Sequence, residues 1–144
     1  MLKDIPINPL DLKKETLNFL EQARIIFNII GDIPASYSDI ITHLNLLMVE
    51  LSLKSLLIFY LGKYQRTHFF EDEPIIKKLI LKLNPPEDII EAISKYRKMS
   101  PIYYFPSRYN QTNLNYSNNL IREIDEISEK IFNFTWKNLN HIVI

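Results

Sequence analysis

Two stretches of this chain gather side chains whose types and spacing suit chemistry. The first is VELSLKSLL (Val49–Leu57), where Glu50 and Lys54 stand four residues apart on an otherwise apolar segment. With the acid on the N-terminal side, that spacing favours an ion pair along one helix face. Two readings follow: a pair at the edge of a core, or a partly desolvated lysine facing a groove where it meets phosphate. The second stretch is SPIYYFPSRYNQ (Ser100–Gln111), which crowds Tyr103, Tyr104, Phe105 and Tyr109 around Arg108. A guanidinium beside a ring can stack on it or grip a phosphate or carboxylate with two donors. The same rings are equally suited to a lid over one end of a hydrophobic core, with Arg108 tied to carboxylates or backbone carbonyls.

The remaining candidates are sparse. Asp39 and His43 share a helix face at i, i+4, but two ligands without a third do not make a metal site. His68 follows Thr67 after a long apolar segment and reads as a turn-pinning histidine, while His141 stands alone. There is no glycine-rich phosphate loop and no nucleophile elbow, and cysteine is absent, which removes disulfides, thiolate metal sites and cysteine nucleophiles. Neither a metal nor a cofactor is expected.

The elements that must position these residues are helices. Asn8-Pro9 opens helix one, and Leu17, Leu20, Ala23, Phe27 and Ile30 give it an apolar face to about Ile30. Ser36-x-x-Asp39 resembles a capping box for helix two, which reaches Leu61 and is apolar round most of its circumference, as a central helix is. Gly31 and Gly62 each follow an apolar segment and read as helix stops. Pro74 opens a short third helix with Ile75, Ile76, Leu79, Ile80 and Leu83 inward. Asn84-Pro85 opens a fourth, with Ile89, Ile90, Ile93 and Tyr96 as its face. Prolines 101 and 106 predict extended backbone, hence a loop over Met99–Tyr116. Ser117 then caps a last helix with a seam at Leu120, Ile124, Ile127, Ile131 and Phe134. A second stripe, Ile121, Phe132, Trp136 and Leu139, fits either a wide core face or a homodimer contact. No segment has the strand period. The expected fold is all-α: an up-and-down bundle of about five helices, one domain over 1–144, with a long aromatic loop before the last helix.

Composition narrows the class further. Lys+Arg and Asp+Glu are 17 each, so a strongly basic, sequence-blind nucleic-acid binder is disfavoured. The most apolar stretch, Leu44–Leu61, contains Asn45, Glu50, Ser52, Lys54 and Ser55, which disfavours a membrane span. A cytoplasmic protein is expected.

Together the two stretches resemble the HEPN family, small helical domains named for nucleotide binding in higher eukaryotes and prokaryotes. The family's helix-two pattern of Ala-Glu-Lys-x-Leu-Lys-Ala-Leu-Leu, then Gly and a Thr-His pair, is matched by Val49–Leu57, Gly62 and Thr67-His68. Its later YYIPTRYPD-like segment is matched by YYFPSRYN, Tyr103–Asn110. Leu51 stands where the family has lysine, and Asn110-Gln111 where it has Pro-Asp. The resemblance implies a bundle of about five helices, often a homodimer, frequently paired with a small nucleotidyltransferase in toxin–antitoxin-like systems. It implies a nucleotide or RNA ligand held by Glu50, Lys54, Tyr103, Tyr104, Arg108 and Tyr109. Many family ribonucleases use an Arg followed, after four to six residues, by His. None of Arg24, Arg66, Arg97, Arg108 and Arg122 has such a partner. The leading expectation is therefore a non-catalytic binding module. A divergent metal-independent ribonuclease using His68 and Arg108, and a pure interaction or dimerisation protein, are the alternatives.

Overall fold

The computed structural model describes residues 3–65, 74–108 and 117–143, with backbone alone over 104–108. Among these residues lie five α-helices: α1 (Leu12–Ile29), α2 (Ser38–Leu61), α3 (Pro74–Leu83), α4 (Glu87–Arg108) and α5 (Asn118–Leu139). Two short strands, β1 (Asp4–Pro6) and β2 (Lys63–Gln65), pair antiparallel. The protein is an all-α bundle with that small clasp at one end.

Cross-helix contacts set the directions. Phe19 of α1 lies 6.0 Å from the Lys54 ammonium of α2, whereas Phe27 stacks at 4.6 Å on Phe132 of α5 and Arg24 lies over Trp136 at 5.5 Å. Asn45 of α2 bonds Asp125 of α5, and fourteen residues on, Phe59 meets His141 at 5.7 Å. Helices α2 and α5 thus run parallel, and α1 runs against both. Lys95 of α4 approaches Glu123 at 4.0 Å, and Asp88 and Lys130 line one groove with that pair, so α4 is antiparallel to α5. The order is up, down, up, down for α1, α2, α4 and α5.

Helix α2 is the axis of the bundle, touching each of the other four helices. From Met48 to Ile58 every residue but Lys54 is buried, as its all-round hydrophobicity predicts. Its end is set by Gly62, whose left-handed φ of 69° closes the helix at no steric cost, its amide bonding the Ile58 carbonyl at 2.9 Å. Ser117 caps α5 by accepting from the Leu120 amide at 3.2 Å, and Pro74 occupies the first position of α3, both as the sequence predicts. Of the α5 stripe, Phe132 and Leu139 are buried in the core of the single chain, 3% and 0% exposed, while Ile121 and Trp136 are half-buried.

Four expectations are corrected. First, Met99–Arg108 is not a loop, because α4 continues through Pro101 and Pro106. Tyr96, Met99, Ser100 and Tyr103 keep the helical spacing on the core side, and Pro101 faces solvent, so the carbonyl it leaves unbonded can be hydrated. Tertiary packing overrides the local penalty; residues 109–116 of the expected loop lie outside the described residues. Second, Ser36 makes no capping box, since α2 begins at Ser38 after Tyr37 without a side-chain cap. Third, Gly31 sits within a 3-10 turn at Ile30–Asp32 and is not left-handed. Fourth, Asn84 does not cap α4. It terminates α3, with φ 45° and its amide bonded to the Ile80 carbonyl at 2.8 Å.

The strands, invisible to periodicity at three residues each, are held by side chains. Asp4 accepts from Gln65 at 2.7 Å and pairs with Lys63 at 2.9 Å. The Lys63 and Gln65 hydrogen bonds hold the Asp4 carboxyl below its ordinary value of 3.8. A depressed folded-state value means the clasp stabilises above about pH 3.8 and loses this as pH falls through the folded-state value. Asp4→Asn should lower the thermal midpoint at neutral pH, and the gap to wild type should close below that value. A pH-independent gap would show that charge is not the cause.

The interior also holds buried hydroxyls on Thr42, Ser52, Ser100 and Ser128 with no hydrogen-bond partner among the described residues. Each gives up a water bond on folding without replacing it. Ser128→Ala should therefore hold or raise stability by up to about 1 kcal/mol in denaturant titrations, where a surface-like loss would contradict the burial.

Candidate functional site

The sequence candidates fall into two places. Glu50 and Lys54 lie on α2, with side chains only 7% and 12% exposed and Lys54 Nζ donating to Glu50 Oε2 at 3.4 Å. Phe19 of α1 covers the ammonium at 6.0 Å and meets Tyr64 of β2 edge-on at 5.4 Å. This is a pair enclosed near the strand clasp. Tyr103 stands on α4 partly buried against the main core, and α4 carries the backbone of Tyr104 and ends at Arg108. His68 and Tyr109 lie outside the described residues. The contacts fixing the helix register put Lys95 beside Glu123 and Asn45 beside Asp125. At 1.5 Å per residue, Lys54 and Tyr103 are then roughly 30 Å apart along the bundle. The structure keeps Glu50 with Lys54 and does not bring them to Tyr103. Asp39 and His43 gain no third ligand: no group of three or more candidate metal ligands occurs among the described residues.

A different site, outside the expected set, occupies the far end. There the end of α1, the start of α2 and the start of α5 enclose a cavity of about 440 Å³. Its walls are largely apolar, supplied by Phe27, Ile30, Ile41, Met48 and Ile121 among others, and its polar residues are Ser38, Asn45, Asn118, Asp125 and Glu129. Asn45 is 3% exposed and donates from Nδ2 to Asp125 Oδ1 at 2.5 Å. The apolar surroundings push the Asp125 carboxyl above its ordinary range, an effect the Asn45 hydrogen bond partly opposes. A cavity of this size with few convergent polar groups and a perturbed acid has the physical marks of a ligand site.

Local sequence explains the geometry. The helix α1 ends in the 3-10 turn at Ile30–Asp32, and α2 starts only at Ser38, so the two helices leave a gap. Asn45 falls on the buried face of α2 between Leu44 and Leu46, where an amide must find a partner. That lone asparagine on an apolar helix was the available sequence signal. Asp125 offered none, being one of several acids on the outer side of α5.

The two sites share an end-to-end logic. Arrival of α4 at Arg108 and departure of α5 from Asn118 occur at the end that holds the cavity, while the Glu50–Lys54 pair lies toward the clasp. No family model matches the chain, and no curated protein or solved structure is significantly similar to it.

Truncating one member of a buried pair leaves the other charge desolvated, so Lys54→Met should cost about 3 kcal/mol in urea unfolding. Adding Glu50→Gln to it should recover most of that loss. Additive losses in the double variant would contradict a coupled pair.

Proposed function

We propose that this chain is a HEPN-like helical module that binds a nucleotide or a base of single-stranded RNA without cutting it. It would act in the cytoplasm beside a partner protein, such as a small nucleotidyltransferase in a toxin–antitoxin-like pair. The observation that carries the reading is the cavity of about 440 Å³ at the end of the bundle where α4 delivers Tyr103 to Arg108. Apolar walls with Phe27 among them suit a flat ring, and a carboxylate–amide pair can read its polar edge. Among the described residues none from α4 lines the cavity, and the family-like residues at its end would act beyond it, the tyrosines stacking on bases and Arg108 gripping phosphate.

Within this reading Glu50 and Lys54 brace the bundle rather than touch ligand, because their charges answer one another in the core. The helical end of α4 also favours binding over cutting. In-line cleavage needs a proton-transferring group beside the scissile phosphate, and no arginine here is followed at the family's spacing by a histidine.

Trp136 is the single tryptophan and stacks on Phe132, which stacks on the cavity residue Phe27. Its fluorescence therefore serves as a readout. Titration with ATP, GTP and short single-stranded RNA should give saturable binding, and Arg108→Ala should weaken the phosphorylated ligands at least tenfold. Unaltered affinity in that variant would remove Arg108 from the site. Labelled RNA should stay intact throughout; cleavage that vanishes in His68→Ala would replace binding with hydrolysis.

A further inference from the structure

The cavity's charged groups are both acids, beside the neutral polar residues Ser38, Asn45 and Asn118. Asp125 presents carboxylate oxygens, Glu129 adds a second acid, and one N–H of the Asn45 amide is bound to Asp125 Oδ1 at 2.5 Å. That bond fixes the plane of the Asp125 carboxylate, because its donor sits on a residue 3% exposed and cannot swing away. An ionised carboxylate accepts at about four lone-pair positions, so one hydrogen bond from Asn45 leaves both oxygens able to accept more. A ligand edge that satisfies it must carry N–H donors, two of them in one plane for a bidentate fit. Acceptors placed against it are repelled, and so are phosphates near Glu129.

Applied to the bases, this requirement is selective. Guanine alone offers adjacent ring N1–H and exocyclic N2–H donors on its Watson–Crick edge. Adenine and cytosine set their amino group beside a bare ring nitrogen, and uracil flanks its single N–H with two carbonyls. The ring body needs an apolar slot, which Phe27, Ile30, Ile41, Met48 and Ile121 provide. Resting on the nucleotide-binding reading above, we infer that this cavity is a guanine-selective pocket, in which Asp125 takes N1–H and N2–H and Asn45 holds Asp125 in register. Sugar and phosphate lie outside it, away from Asp125 and Glu129, so this pocket reads the base and phosphate adds affinity only through groups beyond it.

The experiment titrates the full chain with guanosine, inosine and adenosine, following Trp136 fluorescence or calorimetry at neutral pH. Inosine keeps N1–H and lacks the N2 amine, so it isolates the second donor. Guanosine is expected to bind, inosine at least tenfold more weakly, and adenosine weaker still. Asp125→Asn keeps the shape and removes the charged acceptor, and should erase the preference for guanosine over inosine. Ile121→Trp fills the slot from an apolar wall and should abolish nucleoside binding while the circular dichroism and melting profile stay cooperative. Guanosine and adenosine binding equally, with RNA binding intact, would overturn the guanine assignment and leave the binding-module reading standing. Wild-type binding by Ile121→Trp would do the same by placing the site elsewhere. Failure of every nucleoside, nucleotide and RNA to bind would remove both.

Discussion

The bundle depends on the burial of α2 on all sides. A helix that touches each of the other four gains hydrophobic stabilisation round its whole circumference, and it gives up solvent for every polar group it carries. Its polar residues are therefore the places where sequence must specify partners. Lys54 answers Glu50 within the helix, Ser55 turns back to the Ser52 carbonyl at 2.7 Å, and Asn45 reaches across to Asp125. The first two are local and serve packing. Asn45 takes its partner from another helix, eighty positions away, and that pair borders the cavity.

The two pairs stand in different surroundings. Near the strand clasp the Glu50–Lys54 pair is almost buried, and Phe19 lies 6.0 Å from the ammonium. At the opposite end, the connection from α1 to α2 spreads the helices, and apolar side chains line the gap without filling it. Asp125 is an exposed residue beside that gap, and the partial burial of its carboxyl raises it above its ordinary range, an effect the Asn45 bond opposes. The clasp of β1 on β2 ties the two chain segments at the other end.

Much of this was legible in the residues. The apolar run of α2, the Gly62 stop, the Pro74 start and the Ser117 cap each rest on local chemistry that the structure repeats. The errors share a cause, which is tertiary context. Proline arguments ended α4 near Met99, yet the core-facing Tyr96, Ser100 and Tyr103 carry the helix to Arg108. Asn84 before proline reads as a start but closes α3, because a left-handed asparagine serves a C-terminus as well as a side-chain oxygen serves an N-terminus. The strands are too short for a period, and the cavity pair joins residues eighty apart, so neither leaves a local pattern. Spacing placed Glu50 beside Lys54 correctly, but no spacing rule could say that Tyr103 stands roughly 30 Å from them, a distance set by helix register.

If ligand binds at the cavity end of the bundle, backbone amide chemical-shift mapping of the full chain with a short single-stranded RNA containing guanine will show it. Shifts should cluster at Asn45, Ile121 and Asp125 and along the last turns of α4, with the clasp residues Asp4 and Lys63–Gln65 unmoved. Shifts centred on Lys54 and the clasp, or none at saturating RNA, would contradict it.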